Sequence, residues 1–205
     1  MKAERAARAV QLGDELGALA HCRFETFDLA RRLEPVEWEG HTIGVPVQRK
    51  ALADALAACQ AFAAQPDGWL YLHGSYGAGK SHLAAATATA LQALGLQTIY
   101  RSTPSLLDKL RAGYKDHTFD ERMEAIQQAD VLVLDDIGTE HTSGNADALL
   151  YTILNERYLH DRRTLLTSNI HPDDLPARLA SRIAGHARCV WLPVSDYRRI
   201  GRGAE

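Results

Sequence analysis

The sequence predicts an α/β fold in which helices cover both faces of a parallel β-sheet. Along the 205-residue chain, short apolar segments of strand length alternate with longer segments of helical composition, the pattern of a doubly covered sheet. Residues 131–134 are four consecutive apolar residues without polar alternation, as expected for a strand that is buried on both faces. A second apolar run, residues 69–72, leads through a glycine-rich loop into an alanine-rich helical segment. The length fits one such domain, with little left over for a second.

The glycine-rich loop at residues 74–81 reads Gly-Ser-Tyr-Gly-Ala-Gly-Lys-Ser. Its glycines can adopt backbone angles that other residues avoid, so successive N–H groups can point at phosphate oxygens. Lys80 supplies a charge for the β- and γ-phosphates, and the Ser81 hydroxyl is a ligand for Mg²⁺. A glycine turn followed by chance by Lys-Ser is the alternative, but the flanking strand and helix favour a nucleotide site. The residues that we expect at the nucleotide are Gly74, Ser75, Tyr76, Gly77, Ala78, Gly79, Lys80, Ser81 and His82.

Two acidic residues end the apolar run at residues 131–134. Asp135 is placed to hold Mg²⁺, usually through one of its waters. Asp136, one residue further, can accept a proton from an attacking water as a general base. Two acids after a strand can also form a simple turn, but together with the glycine loop they predict a hydrolytic nucleotide site.

Composition excludes several classes of protein. The formal net charge is −3, so no global basic field attracts nucleic acid, and any such contact must come from a local patch. The three cysteines, Cys22, Cys59 and Cys189, form no Cys-x-x-Cys pair, which argues against zinc and against a disulfide framework. The charged N-terminus is unlike a signal peptide, and no apolar stretch approaches membrane-spanning length. We therefore expect a cytoplasmic protein with no membrane contact.

The segments that precede the glycine loop are less informative. Residues 1–20 predict a short helix, either docked on its own domain or acting as a partner-binding arm. Phe24 and Phe27 can line an adenine or anchor their segment on the core, and anchoring is the simpler expectation. Residues 34–46 contain two prolines and two glycines and predict an irregular loop.

A helix predicted from about residue 103 to residue 115 carries both lysines that follow the glycine loop. Lys109, Arg111 and Lys115 lie on it, with Tyr114 among them. This is the best local candidate for contact with an anionic polymer. A solvated helix face with intrahelical ion pairs is the alternative.

The ordered set of motifs resembles the DnaC/IstB-type branch of the AAA+ ATPases, which includes helicase loaders and transposition-helper ATPases. The motifs that carry the resemblance are Phe24-x-x-Phe27, the loop at 74–81 followed by His-Leu-Ala, Leu-Asp-Asp-Ile-Gly at 134–138, Thr-Ser-Asn at 167–169, Arg178-x-x-x-Arg182 and Asp-Tyr-Arg at 196–198. The resemblance implies a three-layer α/β/α P-loop NTPase with a five-stranded parallel sheet in the order 5-1-4-3-2 and no helical lid domain. It divides the chain into an N-terminal helix or arm (1–20), an AAA+ ATPase domain (21–199) and a tail (200–205).

The resemblance also implies roles for four catalytic residues. It adds three residues to Asp136: Asn169 senses the γ-phosphate and orients the water, Arg182 enters the site of a neighbouring subunit, and Arg198 contacts phosphate within its own subunit. Arg178 supports Arg182. A transition state with charge spread over the γ-phosphate oxygens requires such guanidinium groups.

The expected function is ATP hydrolysis with Mg²⁺ by a helicase-loader-like factor that binds single-stranded DNA and associates with itself through the ATP site. A transposition helper that acts on duplex DNA with a transposase, and a nucleotide-switched adaptor without turnover, are the alternatives. Helicase loaders normally carry a sizeable domain before the Phe24-x-x-Phe27 segment, whereas about twenty residues precede it here. The resemblance implies that the helix pair at residues 103–129 occupies the place where related initiators and loaders carry a single-strand-binding insertion.

Overall fold

A computed structural model describes residues 15–38, 40–138 and 144–200 of the chain. The strands are β1 (Val36–Trp38), β2 (His41–Ile43), β3 (Trp69–Gly74), β4 (Thr98–Ser102), β5 (Val131–Ile137), β6 (Arg163–Ser168) and β7 (Ala187–Leu192). The helices are α1 (Val45–Ala64), α2 (Lys80–Ala93), α3 (Thr103–Gly113), α4 (Phe119–Gln128), α5 (Gly144–Leu159), α6 (Ala177–His186) and α7 (Tyr197–Ile200). Short 3₁₀ turns lie at Leu16–Leu19, Phe24–Thr26 and Pro172–Asp174.

Five parallel strands form the central sheet in the order β4-β5-β6-β3-β7. Counted along the chain within this sheet alone, the order is 5-1-4-3-2, as the resemblance implies. Strand β6 lies between β3 and β5. The loop after β3, the acids of β5 and the end of β6 therefore meet at one edge, where ligands bind in open α/β sheets.

Helices cover both faces of the sheet, which confirms the predicted three-layer fold. On one face, Leu70 and Leu72 of β3 pack with helices α1 and α2 through residues such as Leu52 and Leu83. On the other face, Tyr71 packs with α3 to α6. Because each inner strand is covered on both sides, its apolar residues run without alternation.

The expectation of an irregular loop at residues 34–46 was wrong. Strands β1 and β2 form an antiparallel ribbon there, with Val36 opposite Ile43. Gly40 turns the chain with a φ of 77°, and Pro35 and Pro46 lie outside the paired residues. Residues that break a strand in its interior are compatible with a ribbon when they lie at its ends and in its turn.

The carboxylate of Glu15 connects the N-terminal segment to strand β4. Glu15 accepts hydrogen bonds from Nη1 of Arg101, at 3.0 Å, and from the N–H of Ser102, at 2.8 Å. Most of the predicted N-terminal helix, residues 1–14, and the predicted tail from residue 201 lie outside the described residues. Among the helices that are described, none combines the length and apolar character needed to cross a bilayer.

Candidate functional site

The glycine loop between β3 and α2 adopts backbone angles that demand glycine. Gly77 has a φ of 64°, and a Cβ atom there would meet Oδ1 of Asp196 at 1.8 Å. Gly79 has a φ of 102°, and its Cβ atom would meet the Phe27 ring at 2.7 Å. The loop is thus closely packed against a C-terminal and an N-terminal segment, which explains its glycines in steric as well as conformational terms.

Lys80 begins α2 and points back over the loop. Its Nζ donates to the carbonyl oxygens of Gly74, at 3.0 Å, and Ser75, at 2.8 Å, and to Oδ1 of Asn169, at 2.7 Å. Burial lowers the pKa of Lys80 to about 8, an effect that the carboxylates of Asp136 and Asp135 oppose. The ammonium group is therefore poised at the loop and bound by groups that phosphate oxygens can replace.

Asp135 is fixed at the end of β5 by two hydroxyl groups. Tyr100 donates to its Oδ2 at 3.0 Å, and Thr167 donates to its Oδ1 at 2.5 Å. Burial, followed by the Asp135 charge, raises the pKa of Tyr100, so that its hydroxyl remains a donor. Both carboxylate oxygens keep lone pairs for a further ligand.

Asp136 is turned toward the cleft by a β-bulge. Leu134 pairs with Leu166 and Ile137 with Ser168, so three steps along β5 face two steps along β6. Asp136 itself has a φ of 62°, and its N–H donates to Thr167 Oγ1 at 2.9 Å. A bulge of this kind re-aims a side chain and often lies next to a functional site.

Asn169 connects Lys80 to Asp136. It follows β6, accepts from Lys80 through Oδ1 and donates through Nδ2 to Oδ1 of Asp136 at 2.9 Å. Three residues that the sequence placed far apart thus form one hydrogen-bonded chain, Lys80–Asn169–Asp136. The strand order, with β6 between β3 and β5, brings them together.

The cleft around these residues has a volume of about 710 Å³. Its walls include most of the predicted nucleotide residues, from Tyr76 to His82, together with Asp135, Asp136, Asn169 and Arg198. Gly74 and Ser75, the first two residues of the loop, contribute carbonyl oxygens that hold Lys80. Tyr76 is 68% exposed at the rim.

Ser81 and Asp135 both line the cleft and fit a Mg²⁺ ion. A hydroxyl and a carboxylate are the hard oxygen ligands that this ion prefers, and phosphate oxygens and waters usually supply the rest. Among the described residues, no group of three or more His, Cys, Asp or Glu side chains could hold a metal by protein ligands alone.

Sequence reasoning missed Arg31, which is only 6% exposed and lines the cleft. Its Nη2 donates to the carbonyl oxygen of Ala78 at 2.8 Å, and its guanidinium lies 5.8 Å from the Phe27 ring and 5.6 Å from the Tyr197 ring. Phe27 is buried against Gly79 and packs at 5.4 Å on His82. Phe27 thus anchors its segment and also forms a wall of the cleft. No motif of the sequence marks Arg31, because its hydrogen-bond acceptor, the Ala78 carbonyl, and one of its two rings, Tyr197, lie far away in the sequence.

The C-terminal segment closes the cleft from the other side. The N–H of Tyr197 donates to the carbonyl oxygen of Gly77 at 3.3 Å. Asp196 accepts from the N–H of Arg198 at 3.0 Å and lies 3.8 Å from its Nε. Arg198 therefore lies at the mouth of the cleft, near Lys80, whose pKa it further lowers.

Arg182 lies outside the cleft of its own chain. It is on α6, where its Nε donates to Oδ1 of Asn155 at 3.0 Å and its guanidinium covers the Tyr158 ring at 4.6 Å. Arg178, one turn earlier on the same face, lies 5.7 Å from the Tyr151 ring. The structure thus separates Arg182 from Asp136, Asn169 and Arg198.

The predicted DNA-contact residues lie on and just after α3. Lys109, Arg111 and Lys115 are exposed, and Arg111 pairs with Asp108 at 3.0 Å. Tyr114 is 57% exposed and stacks on Phe119, with ring centroids 4.2 Å apart and an interplanar angle of 14°. The patch combines positive charge with an exposed aromatic face.

Comparison with known proteins agrees with this geometry. A putative insertion sequence ATP-binding protein of Sinorhizobium fredii is 29% identical over 200 residues, which are 90% of this chain and 65% of that protein. The replicative helicase loader DnaI of Bacillus subtilis is 34% identical over 107 residues, which are 52% of this chain and 34% of the loader. The crystal structure of the DnaC helicase loader superposes with a TM-score of 0.68 at 22% identity, over 85% of this chain and 98% of that chain, which is a likeness of fold.

The family model described as IstB-like ATP binding protein matches residues 5–179. This match spans most of the 205 residues and confirms the resemblance drawn from the motifs. The chain belongs to the family of IstB-like ATP-binding proteins, with the P-loop AAA+ fold that DnaC and DnaI share.

Proposed function

We propose that the chain hydrolyses Mg·ATP at a boundary between two copies of itself and acts on single-stranded DNA as a helicase-loader-like factor in replication. The observation that carries the hydrolytic part is the hydrogen-bonded chain Lys80–Asn169–Asp136 at the floor of the cleft. It joins a phosphate-binding cation, a polar amide and a carboxylate base. A protein that only bound ATP would need the first of these alone.

In the proposed mechanism, ATP draws the Lys80 ammonium from the loop carbonyls to its β- and γ-phosphates. Asp136 accepts a proton from a water that attacks the γ-phosphorus, while the bond to the departing ADP oxygen breaks. Asn169, already bonded to Asp136, orients that water. Mg²⁺, held by Ser81 and Asp135, would supply neutralisation of the phosphate charge.

The proposed mechanism takes two further guanidinium groups from different chains. Arg198 lies at the mouth of the same cleft and reaches phosphate in cis. Arg182 contacts α5 rather than its own cleft, which supports the proposed role in the site of a neighbouring copy. Hydrolysis then depends on assembly, as for other enzymes that take an arginine in trans.

The patch around Tyr114 supports single-stranded DNA as the polymer. Exposed aromatic rings can stack on any of the bases, and neighbouring lysines can bind the phosphates of the strand. Lys109 and Lys115 are the cations in question, while Arg111 is partly neutralised by Asp108. Base stacking requires unpaired bases, so the Tyr114–Phe119 pair favours a single strand over a duplex.

A second function, a transposition helper that acts on duplex DNA, is favoured by one observation. The relative from Sinorhizobium fredii, which covers 90% of this chain, is named as an insertion sequence ATP-binding protein. A replicative helicase and a transposase are the alternative protein partners. The two functions use the same ATP site, but the loader acts on single-stranded DNA and the transposition helper acts on duplex DNA.

The test is phosphate release at saturating Mg·ATP with single-stranded DNA, with duplex DNA and without DNA. We expect single strands to stimulate the rate most, and Asp136→Asn to abolish turnover while ATP still binds.

Replacing both Lys109 and Lys115 by Gln should weaken the salt dependence of single-strand binding. The slope of the logarithm of the binding constant against the logarithm of salt concentration should become less steep by about 1.4. Lys50→Gln, an exposed lysine of α1, is the matched control.

Stimulation by duplex alone would favour the transposition helper over the loader. ATP binding without any phosphate release in the presence of either DNA would instead favour a nucleotide-switched adaptor. These outcomes separate the three functions that the sequence leaves open.

A further inference from the structure

Arg182 is held in place before any neighbour arrives. Its Nε donates to Asn155 at 3.0 Å, its Nη2 lies 3.4 Å from the Tyr151 hydroxyl, and its guanidinium carbon lies 4.6 Å from the centre of the Tyr158 ring. Three side chains of α5 thus contact one guanidinium of α6. All four residues are only partly exposed, so the group is restrained without being removed from reach.

The three residues of α5 lie on one face of the helix. They are spaced by four and then three positions, which places them above one another on successive turns. We call Tyr151, Asn155 and Tyr158 the α5 shelf. Arg178 covers the Tyr151 ring at 5.7 Å, so the two arginines of α6 occupy neighbouring parts of the shelf.

The Tyr158 ring also contacts a second ring. His186, at the end of α6, packs edge-on against it with ring centroids 5.3 Å apart. His186 in turn packs against Trp69 at 5.8 Å. Trp69 is 2% exposed at the start of β3, so the shelf is connected through ring contacts to the core of the sheet.

We propose that Tyr158 is a positioning residue for hydrolysis in the neighbouring subunit, because its ring holds Arg182 in the orientation from which it enters that subunit's site. The inference rests on the proposed trans role of Arg182. Tyr158 does not line the cleft of its own chain, and it acts only through the guanidinium. Asn155 fixes the direction of Nε, and the ring limits the rotation of the side chain.

Preorganisation is the physical reason for this assignment. A long arginine side chain loses many rotamers when it must take one position in a transition state. A guanidinium already stacked on a ring and bonded at Nε has lost much of that freedom before the boundary forms. Removing the ring should therefore lower kcat and leave ATP affinity unchanged, since the ring lies outside the chain's own cleft.

The experiment compares Tyr158→Leu with Tyr158→Phe in phosphate release with single-stranded DNA. We expect Tyr158→Leu to lower kcat about tenfold with KM within about twofold, since the loss of one stacked contact corresponds to a change of this order. Tyr158→Phe keeps the ring and should retain most of the rate. Thr152→Ala, whose exposed hydroxyl bonds only within α5, controls for the integrity of the helix.

Mixtures of two variant proteins distinguish a positioning role of Tyr158 from damage to the fold of its own subunit. Asp136→Asn keeps the arginine but lacks the proposed base, so an equal mixture with Arg182→Ala should regain activity at about a quarter of the boundaries if subunits assemble at random. Tyr158→Leu should be rescued by Asp136→Asn in the same way, because its own site is intact.

Each outcome has a definite meaning. If Asp136→Asn rescues Arg182→Ala but not Tyr158→Leu, the ring serves the fold of its own subunit and the inference is overturned while the proposed function stands. If Tyr158→Leu keeps the full rate, the inference is likewise overturned. If Arg182→Ala itself keeps full turnover, both the trans role and the inference that rests on it fall.

Discussion

Lys80 carries a buried ammonium whose charge depends on its neighbours. Only 7% of the residue is exposed, and burial lowers its pKa to about 8. A bound triphosphate adds negative charge beside it, so its pKa must rise in the complex. At pH values between the pKa of the free protein and that of the complex, Lys80 takes up a proton when ATP binds. The affinity for ATP therefore decreases as the pH rises through this range.

The affinity for Mg·ATP should therefore fall about tenfold between pH 7 and pH 9, as the free protein loses the Lys80 proton. Titration calorimetry in two buffers of different ionisation enthalpy would measure both the affinity and the proton uptake. Lys80→Arg is the control, because a guanidinium stays charged over this range and its profile should be flat. A flat profile for the natural protein would contradict the assigned contact between this ammonium and phosphate.

The residues that sequence reasoning found and missed differ in one physical respect. Lys80 and Asp135 follow apolar runs at strand ends, where neighbouring residue types indicate their role. Arg31 donates to the carbonyl oxygen of Ala78, and Tyr100 donates to the carboxylate of Asp135 on the next strand along the chain. Such partners are set by tertiary packing, which no local pattern records.

At the scale of an element, the phosphate loop is shaped by the C-terminal segment as well as by its own glycines. The Asp196 carboxylate occupies the space into which a Cβ at Gly77 would project. The same aspartate accepts from the N–H of Arg198 at 3.0 Å. The loop and the start of α7 therefore share one aspartate.

Gly77→Ala should weaken Mg·ATP binding by more than tenfold, because the methyl group must displace Asp196 and the φ is unfavourable for alanine. The double variant Gly77→Ala with Asp196→Ala should recover part of the affinity, since only the backbone cost remains. Calorimetry on the two single variants and the double variant completes a double-mutant cycle. Simple additivity in that cycle would show that the aspartate does not restrict the loop.

Arg157 joins helices α4 and α5 to the strands that follow them. It is fully buried, and its guanidinium donates to the hydroxyl of Thr164 and to the carbonyl oxygens of Ile126, Gln127, Ala129 and Arg163. Burial lowers its pKa to about 9. Its role is to satisfy carbonyls at helix and strand ends that the fold removes from water.

Arg157→Met should lower the free energy of unfolding by about 3 to 5 kcal/mol, because several buried carbonyls lose their donor. Urea denaturation followed by circular dichroism would measure it. Arg162→Met, which removes one hydrogen bond to Gln128, should cost about 1 kcal/mol. Equal effects of the two substitutions would contradict a structural role for Arg157.

The central elements were predictable because a strand that is buried on both faces consists of consecutive apolar residues, which are visible in the sequence. The apolar runs of β3 and β5 and the alanine-rich α2 follow directly from the three-layer packing. The β1–β2 ribbon was not predictable, since its two strands have only three residues each and lie among prolines and glycines. The bulge that turns Asp136 was also hidden, because it depends on the register between β5 and β6.

At the scale of the whole molecule, the proposed site is divided between a cleft and an arginine, Arg182, that lies outside it. The cleft holds the phosphate loop, the acids and Asn169, whereas Arg182 is stacked on Tyr158 of another face. A monomer would thus bind ATP and turn it over slowly, and assembly would complete the site. ATP together with single-stranded DNA should therefore convert monomer to oligomer, which sedimentation velocity would detect.

The most direct measurement is a calorimetric titration of the folded natural protein with Mg·ATP, beside Lys80→Ala. We predict saturable heat with one nucleotide per chain and a Kd of about micromolar order for the natural protein, and no measurable binding for Lys80→Ala. Absence of saturable heat from a natural protein that circular dichroism shows to be folded would contradict the assignment of this cleft to a nucleotide.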